Sequence, residues 1–170
     1  MKIFSWLVGM QFIIALALLV FVSDSAVAQD QRVSEPLSVS GQQLAGILDQ
    51  SKGERGALFL YTSWCPYCRR ALPEFVKIGH SHPGRIIAVS LDKDDATLMR
   101  YLNKTYESLP FKPYVWDRSG IFARPLARFG IKPGNGIPFT ALVDEYGYVH
   151  KQGVLDPSEV KAYLEGGSGQ

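Results

Sequence analysis

The only two cysteines of the chain lie in the segment Trp64-Cys65-Pro66-Tyr67-Cys68. Pro66 suits the first turn of a helix, where its missing N–H would have had no partner. Cys65 is therefore predicted at a helix N-terminus, where free backbone N–H groups and the helix dipole favour a thiolate. Such a position can lower a thiol pKa from ~8.5 into the range of roughly 3.5 to 7.5. Cys68 falls on the same helix face, so the pair can close a disulfide without backbone movement.

Two other interpretations of the cysteine pair, a structural disulfide and a zinc site, have less support from the sequence. An inert structural disulfide is possible in principle, but so short a loop constrains an unfolded chain little. A zinc site needs four ligands, and the chain has no second Cys-x-x-Cys. The only histidines are His80, His82 and His150. Reversible thiol chemistry is therefore the favoured interpretation.

The segments on either side of the cysteines could position them. Residues 57–62 form a short apolar run, which predicts a strand buried on both faces of a sheet. Beyond the cysteines, an apolar helical stripe continues to about Ile78. Pro73 is expected to kink that helix. A strand leading into a helix would place Cys65 at the junction.

Trp-Cys-x-x-Cys after an apolar strand, with Pro73 five residues past the second cysteine, resembles the thioredoxin superfamily. The resemblance implies an α/β, thioredoxin-like fold with a central mixed sheet flanked by helices. It also implies that Pro138 is cis, which X-Pro bonds permit at small cost, and that it faces the cysteines. The backbone of Ile137 would then pair with an extended substrate segment. An ordinary trans proline at a strand start is the alternative.

Between the next apolar run, residues 85–91, and Pro138 lie about 45 residues. A helix and a short strand in this interval resemble the central insertion of the TlpA-like branch. That branch contains exported reductants of cytochrome c maturation and relatives that keep other extracytoplasmic thiols reduced. The Pro66-Tyr67 pair is also found in glutaredoxins and in an exported isomerase-type relative, which leaves the direction of electron flow open.

Hydrophobic periodicity and turn residues predict the other elements. Ser40 and Gln43 resemble a capping box that opens a helix ending near Ser51. The remaining predictions are a strand at 85–91, a helix at 94–103, an extended segment at 109–116, a helix at 119–129, a hairpin of strands 139–144 and 148–154, and a helix at 157–164.

The N-terminus reads as an export signal. Residues 6–22 are almost wholly apolar and are followed by Ala26-Val27-Ala28, which predicts a signal peptide at 1–28, or alternatively an uncleaved anchor. A linker at 29–39, a thioredoxin-like domain at 40–165 and a flexible tail at 166–170 follow. The expected location is periplasmic or otherwise extracytoplasmic. The formal net charge of +2 is too small to indicate a nucleic-acid-binding protein.

By this resemblance, Cys65 attacks a partner disulfide and Cys68 resolves the mixed disulfide. No cofactor or metal is expected. The expected partners are protein substrates with thiols or disulfides and a membrane redox protein, and the chain is expected to be a monomer. The expected substrate-binding residues are Trp64, Pro66, Tyr67, Ile137 and Pro138, with Trp64 as core packing the alternative.

Two features set limits on the resemblance. Phe59 occupies the place of the buried thioredoxin acid, and Ala71 replaces an acid found in some TlpA-like reductases. In the absence of these two acids, Glu74 or water would have to transfer the proton of Cys68. A function of another class, a non-catalytic copper-binding chaperone on the same fold, would need a distant histidine such as His150.

Overall fold

The computed structural model describes residues 33–134 and 136–166. The predicted signal peptide and most of the predicted tail lie outside these residues. Across the described ranges, no helix is both long and apolar enough to cross a membrane. The strands are β1 (Leu37–Val39), β2 (Gly56–Tyr61), β3 (Ile86–Ser90), β4 (Tyr114–Trp116), β5 (Phe139–Val143) and β6 (Val149–Gly153). The helices are α1 (Gly41–Gln50), α2 (Pro66–Ser81), α3 (Asp95–Thr105), α4 (Ala123–Leu126) and α5 (Pro157–Leu164).

The six strands form one mixed sheet in the order β1-β4-β3-β2-β5-β6. β1, β4, β3 and β2 run parallel, whereas β5 is antiparallel to β2 and β6 to β5. Every residue of β3 and β5 is buried, as is every residue of β2 after Gly56. Strands covered on both faces read as continuous apolar runs. The predicted central mixed sheet flanked by helices is confirmed.

Helices cover both faces of the sheet and divide the core in two. One cluster joins the sheet to α2, α3 and α5, and the other joins it to α1 and α4. In the first cluster the ring of Phe59 on β2 stacks on Phe75 of α2, with centroids 3.9 Å apart. This aromatic contact fixes helix α2 against the strand that leads into its N-terminus.

The structure differs from the sequence predictions in two short elements. The predicted helix at 119–129 is reduced to α4 and a 3-10 turn at Ala127–Phe129. Arg118 and Gly120 have φ angles of 59° and 68°, so the backbone is left-handed there and cannot begin the helix earlier. β1 lies within the predicted linker. Its three residues pair with β4 at the sheet edge, a contact too short to leave a periodic pattern.

Candidate active site

The cysteine pair sits where β2 passes into α2. Cys65 is the N-cap residue of α2, with φ −74° and ψ 122°, and Pro66 is its first helical residue. The Arg69 N–H donates to the Cys65 carbonyl oxygen at 3.0 Å, which starts the helical ladder. Both thiols are free. Cys65 is 6% exposed and Cys68 1% exposed, so Cys65 is the more accessible residue of the two.

The surroundings move the two thiol pKa values in opposite directions. Burial alone would raise the pKa of Cys65, but hydrogen bonds from the Cys68 and Tyr67 N–H groups and the Cys68 thiol, with the Arg70 charge, lower it below its ordinary value. Burial raises the pKa of Cys68 to about 12, against the opposing effect of the Thr62 backbone N–H. The pair therefore combines one activated thiol with one held protonated at neutral pH.

We expect the alkylation rate of the reduced protein by iodoacetamide to follow the Cys65 thiolate. Since the thiolate is the nucleophile, the rate should rise with pH and reach half its maximum below the ordinary thiol pKa of ~8.5. In a Cys65→Ser variant, Cys68 should stay unlabelled through this pH range while the protein is folded. A half-maximal rate at or above a pH of ~8.5 in the native chain would contradict the lowered pKa.

The loop before β5 lies against the cysteines. The Ile137–Pro138 peptide bond is cis, as the resemblance implies. Cys65 Sγ lies 3.8 Å from the carbonyl oxygen of Ile137, which can accept the thiol proton. Pro138 is buried and Ile137 half-buried. The fold thus brings together two segments that are 72 residues apart in the sequence.

Two aromatic side chains project beside the thiols. Trp64 and Tyr67 are each 65% exposed, so neither is a core residue. Arg70 lies over the Tyr67 ring, 4.6 Å from its centroid. Such a contact between a guanidinium and an aromatic face holds both groups at the surface next to Cys65.

Two grooves include neighbours of the cysteines, Tyr67 in one and Trp64 in the other, among their lining residues. The Tyr67 groove, of about 1020 Å³, runs between α2 and α5 and is lined by Tyr67, Arg70, Pro138 and Leu155 among others. The Trp64 groove, of about 730 Å³, lies between the start of α2 and helix α3. Two surfaces next to the cysteine-containing segment could thus receive a polypeptide.

Asp92 is a buried acid that the sequence analysis did not single out. It is 2% exposed and follows β3, the parallel neighbour of β2. The Ser63 N–H donates to Asp92 Oδ2 and the Ser63 hydroxyl to Oδ1, both at 2.8 Å. The Ser90 hydroxyl donates to Oδ2 at 2.6 Å. These bonds tie the segment just before Cys65 to the end of β3. The sequence feature that could have identified Asp92 is the position of an acidic residue directly after an apolar strand.

The residues considered for other chemistry lie elsewhere. Glu74 is exposed and pairs with Lys77 at 2.8 Å, as expected for a solvated helix residue. His150 stacks on Tyr163, with ring centroids 5.0 Å apart. His80 is fifteen residues along α2 from Cys65, about 22 Å at the helical rise. Within residues 33–134 and 136–166, no three metal-ligating side chains cluster.

Comparison with known proteins places the chain in a family. The family model described as Redoxin matches residues 17–165. The chain belongs to the Redoxin family. With the related structures below, this match confirms the predicted thioredoxin-superfamily, TlpA-like character of the protein.

The Redoxin-family chain is similar to several thiol-disulfide proteins. Sporulation thiol-disulfide oxidoreductase A of Bacillus subtilis is 28% identical over 85 residues, 47% of this chain and 52% of that protein. The match thus spans about half the length of this curated relative. A crystal structure assigned as thiol:disulfide interchange protein DsbE from Chlorobium tepidum has 27% identity and a TM-score of 0.50, covering 70% of this chain and 80% of that one.

A second Chlorobium tepidum structure, of a thiol:disulfide interchange protein of the thioredoxin family, has a TM-score of 0.55 at 18% identity. It covers 71% of this chain and 83% of that one. At this identity the likeness concerns the fold, and it agrees with the thioredoxin-like order of strands and helices.

Proposed function

We propose that this protein is an exported thiol-disulfide oxidoreductase that reduces disulfides in protein substrates through Cys65 and Cys68. The observation that carries the proposal is the placement of one thiol, Cys65, at a helix N-terminus and of a second, buried thiol, Cys68, one turn later. This placement lowers the pKa of the first thiol and raises that of the second. The first suits a nucleophile, and the second suits a group that acts only after the first has reacted.

The reaction would proceed by two exchanges. The Cys65 thiolate attacks one sulfur of the substrate disulfide, forms a mixed disulfide and releases the other substrate sulfur as a thiolate, which takes up a proton. Cys68 then loses its proton and attacks the Cys65 sulfur, which releases the second substrate thiolate. The substrate gains two electrons and two protons, and the protein is left with a Cys65–Cys68 disulfide.

The surface around the cysteines supports binding of a polypeptide. In this proposal the exposed rings of Trp64 and Tyr67 contact the substrate, together with Pro66 and Pro138. The Ile137 backbone, whose carbonyl oxygen already faces Cys65, would pair with an extended substrate segment. Strand-like pairing reads the backbone rather than the side chains, so it would admit many substrates.

The reducing direction and the location are parts of the same proposal. The TlpA-like character supports a reductant that works outside the cytoplasm and receives electrons from a membrane redox protein. The name of the Bacillus subtilis relative, a thiol-disulfide oxidoreductase, supports the reaction class. We propose that the protein acts as a monomer.

Trapping of substrates by a Cys68→Ala variant tests the assigned roles. Without the resolving thiol, the mixed disulfide between Cys65 and its partner cannot be cleaved from within the protein. We expect adducts on non-reducing gels that dithiothreitol removes, when the full chain is incubated with disulfide-containing proteins. The matched Cys65→Ala and double variants should give none. If Cys68→Ala forms no adduct, or Cys65→Ala forms as many, the roles are wrong.

The equilibrium reduction potential of the Cys65–Cys68 pair tests the direction. We expect a value near the roughly −270 mV of thioredoxin. A value near the roughly −120 mV of DsbA would instead indicate a disulfide donor. The potential is measured on the full chain in a dithiothreitol or glutathione redox buffer, from the fraction of oxidised protein at each ratio.

A further inference from the structure

The Trp64 groove carries charge of one sign. Three exposed cationic side chains line it: Arg69 from α2, and Arg100 and Lys104 from α3. Arg69 lies over the ring of Tyr101, 4.9 Å from its centroid, which holds the guanidinium at the groove wall. No acidic side chain is among the residues that line this groove.

The cations of the Trp64 groove are not paired with acids. In the part of the chain that the structure describes, no carboxylate lies within 4.0 Å of Arg69, Arg100 or Lys104. The Arg100 charge does reach Asp94. That carboxylate, however, accepts the Ala96 and Thr97 N–H groups as the cap of α3 and does not line the groove.

The charges that line the Tyr67 groove are different. Its lysines are paired with nearby acids: Lys77 with Glu74 on α2 at 2.8 Å, and Lys161 on α5 with Glu165, the C-cap residue of that helix, at 3.7 Å. The two grooves therefore differ in charge: the Tyr67 groove is balanced and the Trp64 groove is basic.

Two of the positive charges that line the Trp64 groove repel each other in the free protein. Arg100 and Lys104 are four residues apart on α3, so two like charges face each other across one helical turn. Such a pair weakens a helix slightly, and a neighbouring acid would have removed the repulsion. An anionic group brought by a partner would remove it in the complex.

We propose that the Trp64 groove receives an acidic segment of the protein substrate, next to the disulfide that Cys65 attacks. The exposed Trp64 ring would contact the substrate near the reacting sulfurs, and Arg69, Arg100 and Lys104 would attract carboxylates on one side of it. Charges at such a rim act mainly on the rate of encounter and on the choice of partner. This inference rests on the proposed function and adds a substrate class to it.

Three matched peptides, each with one disulfide, test this proposal. They share a sequence except for four flanking residues, which are acidic, neutral or basic. We measure kcat/KM of the full chain with dithiothreitol as the electron source, corrected for the rate without protein, at about 0.02 M and about 0.5 M salt. At low salt the acidic peptide should be favoured over the neutral one by about tenfold, and the basic peptide should react most slowly. High salt should reduce these differences because it screens exposed charges.

Charge reversal assigns the preference to the groove. In an Arg100→Glu/Lys104→Glu variant the order of acidic and basic peptides should be inverted. A Lys112→Glu/Lys132→Glu variant has the same net charge but lies outside both grooves, so it should keep the native order. Thermal unfolding of each variant establishes that it is folded.

The outcomes separate this proposal from the proposed function. Equal rates with all three peptides, or a preference that survives the Arg100→Glu/Lys104→Glu change, would overturn the acidic-substrate proposal alone. An equal loss of preference in both double variants would show an effect of net charge and would also overturn it. No exchange with any peptide would overturn the proposed function, and the groove proposal with it.

Discussion

Replacing Cys65 by serine should abolish disulfide exchange, with a fall in rate of at least about a thousandfold. A serine hydroxyl is not ionised at neutral pH, and Cys68 cannot take its place. Cys68 is 1% exposed, and burial raises the pKa of its thiol, so it stays protonated at neutral pH. The measurement is turnover of a disulfide-containing protein with dithiothreitol as the electron source, corrected for the rate without enzyme.

The matched control is Cys68→Ser, which keeps the nucleophile and removes the resolving thiol. It should react once with a chromogenic disulfide such as dithiobis-nitrobenzoate and release one equivalent of thiolate, whereas Cys65→Ser should release none while folded. If Cys65→Ser retained more than about a tenth of the native turnover, Cys65 would not be the nucleophile.

Replacing Asp92 by alanine should lower the free energy of unfolding by about 2 to 4 kcal/mol. The change leaves the Ser63 N–H, the Ser63 hydroxyl and the Ser90 hydroxyl without their acceptor in a buried place. An Asp92→Asn variant keeps the side-chain volume and one acceptor oxygen. Its amide NH₂ group, however, would face the serine groups that donate to the carboxylate in the native protein. This variant should lower the free energy of unfolding by less than the alanine variant does. Urea unfolding of the reduced protein at pH 7 gives the values.

Glu107→Ala serves as the control for Asp92, since Glu107 is an exposed acid. It should change the free energy of unfolding by less than about 0.5 kcal/mol. If the Asp92→Ala protein unfolded at the same urea concentration as the native chain, the buried hydrogen bonds of Asp92 would contribute nothing to the free energy of unfolding. The same variants should be tested for Cys65 alkylation, because Ser63 lies two residues before that thiol.

The sequence alone determined the elements that depend on local patterns. Continuous apolar runs predicted β2, β3 and β5 within a residue or so, because strands buried on both faces must be apolar throughout. The capping box at Ser40 and Gln43 is present, and helix α5 has its predicted bounds. Each of these signals depends on residues a few positions apart.

The sequence also located the thiol pair, because Cys65 and Pro66 specify a helix start by their own chemistry. It did not explain how the segment before Cys65 is held. The acid that does so, Asp92, is 29 residues from Ser63 and follows the neighbouring strand β3. Local spacing does not reveal which strand ends lie side by side, so only the sheet order could identify this contact.

The short elements and the grooves were likewise decided by tertiary structure. β1 exists because β4 lies beside it, and α4 is short because of the left-handed backbone at Arg118 and Gly120. Arg69 and Arg100 are 31 positions apart, and only the packing of α2 beside α3 places them in one groove. Charge along a sequence is local, but the field at a site depends on which distant side chains the fold brings there.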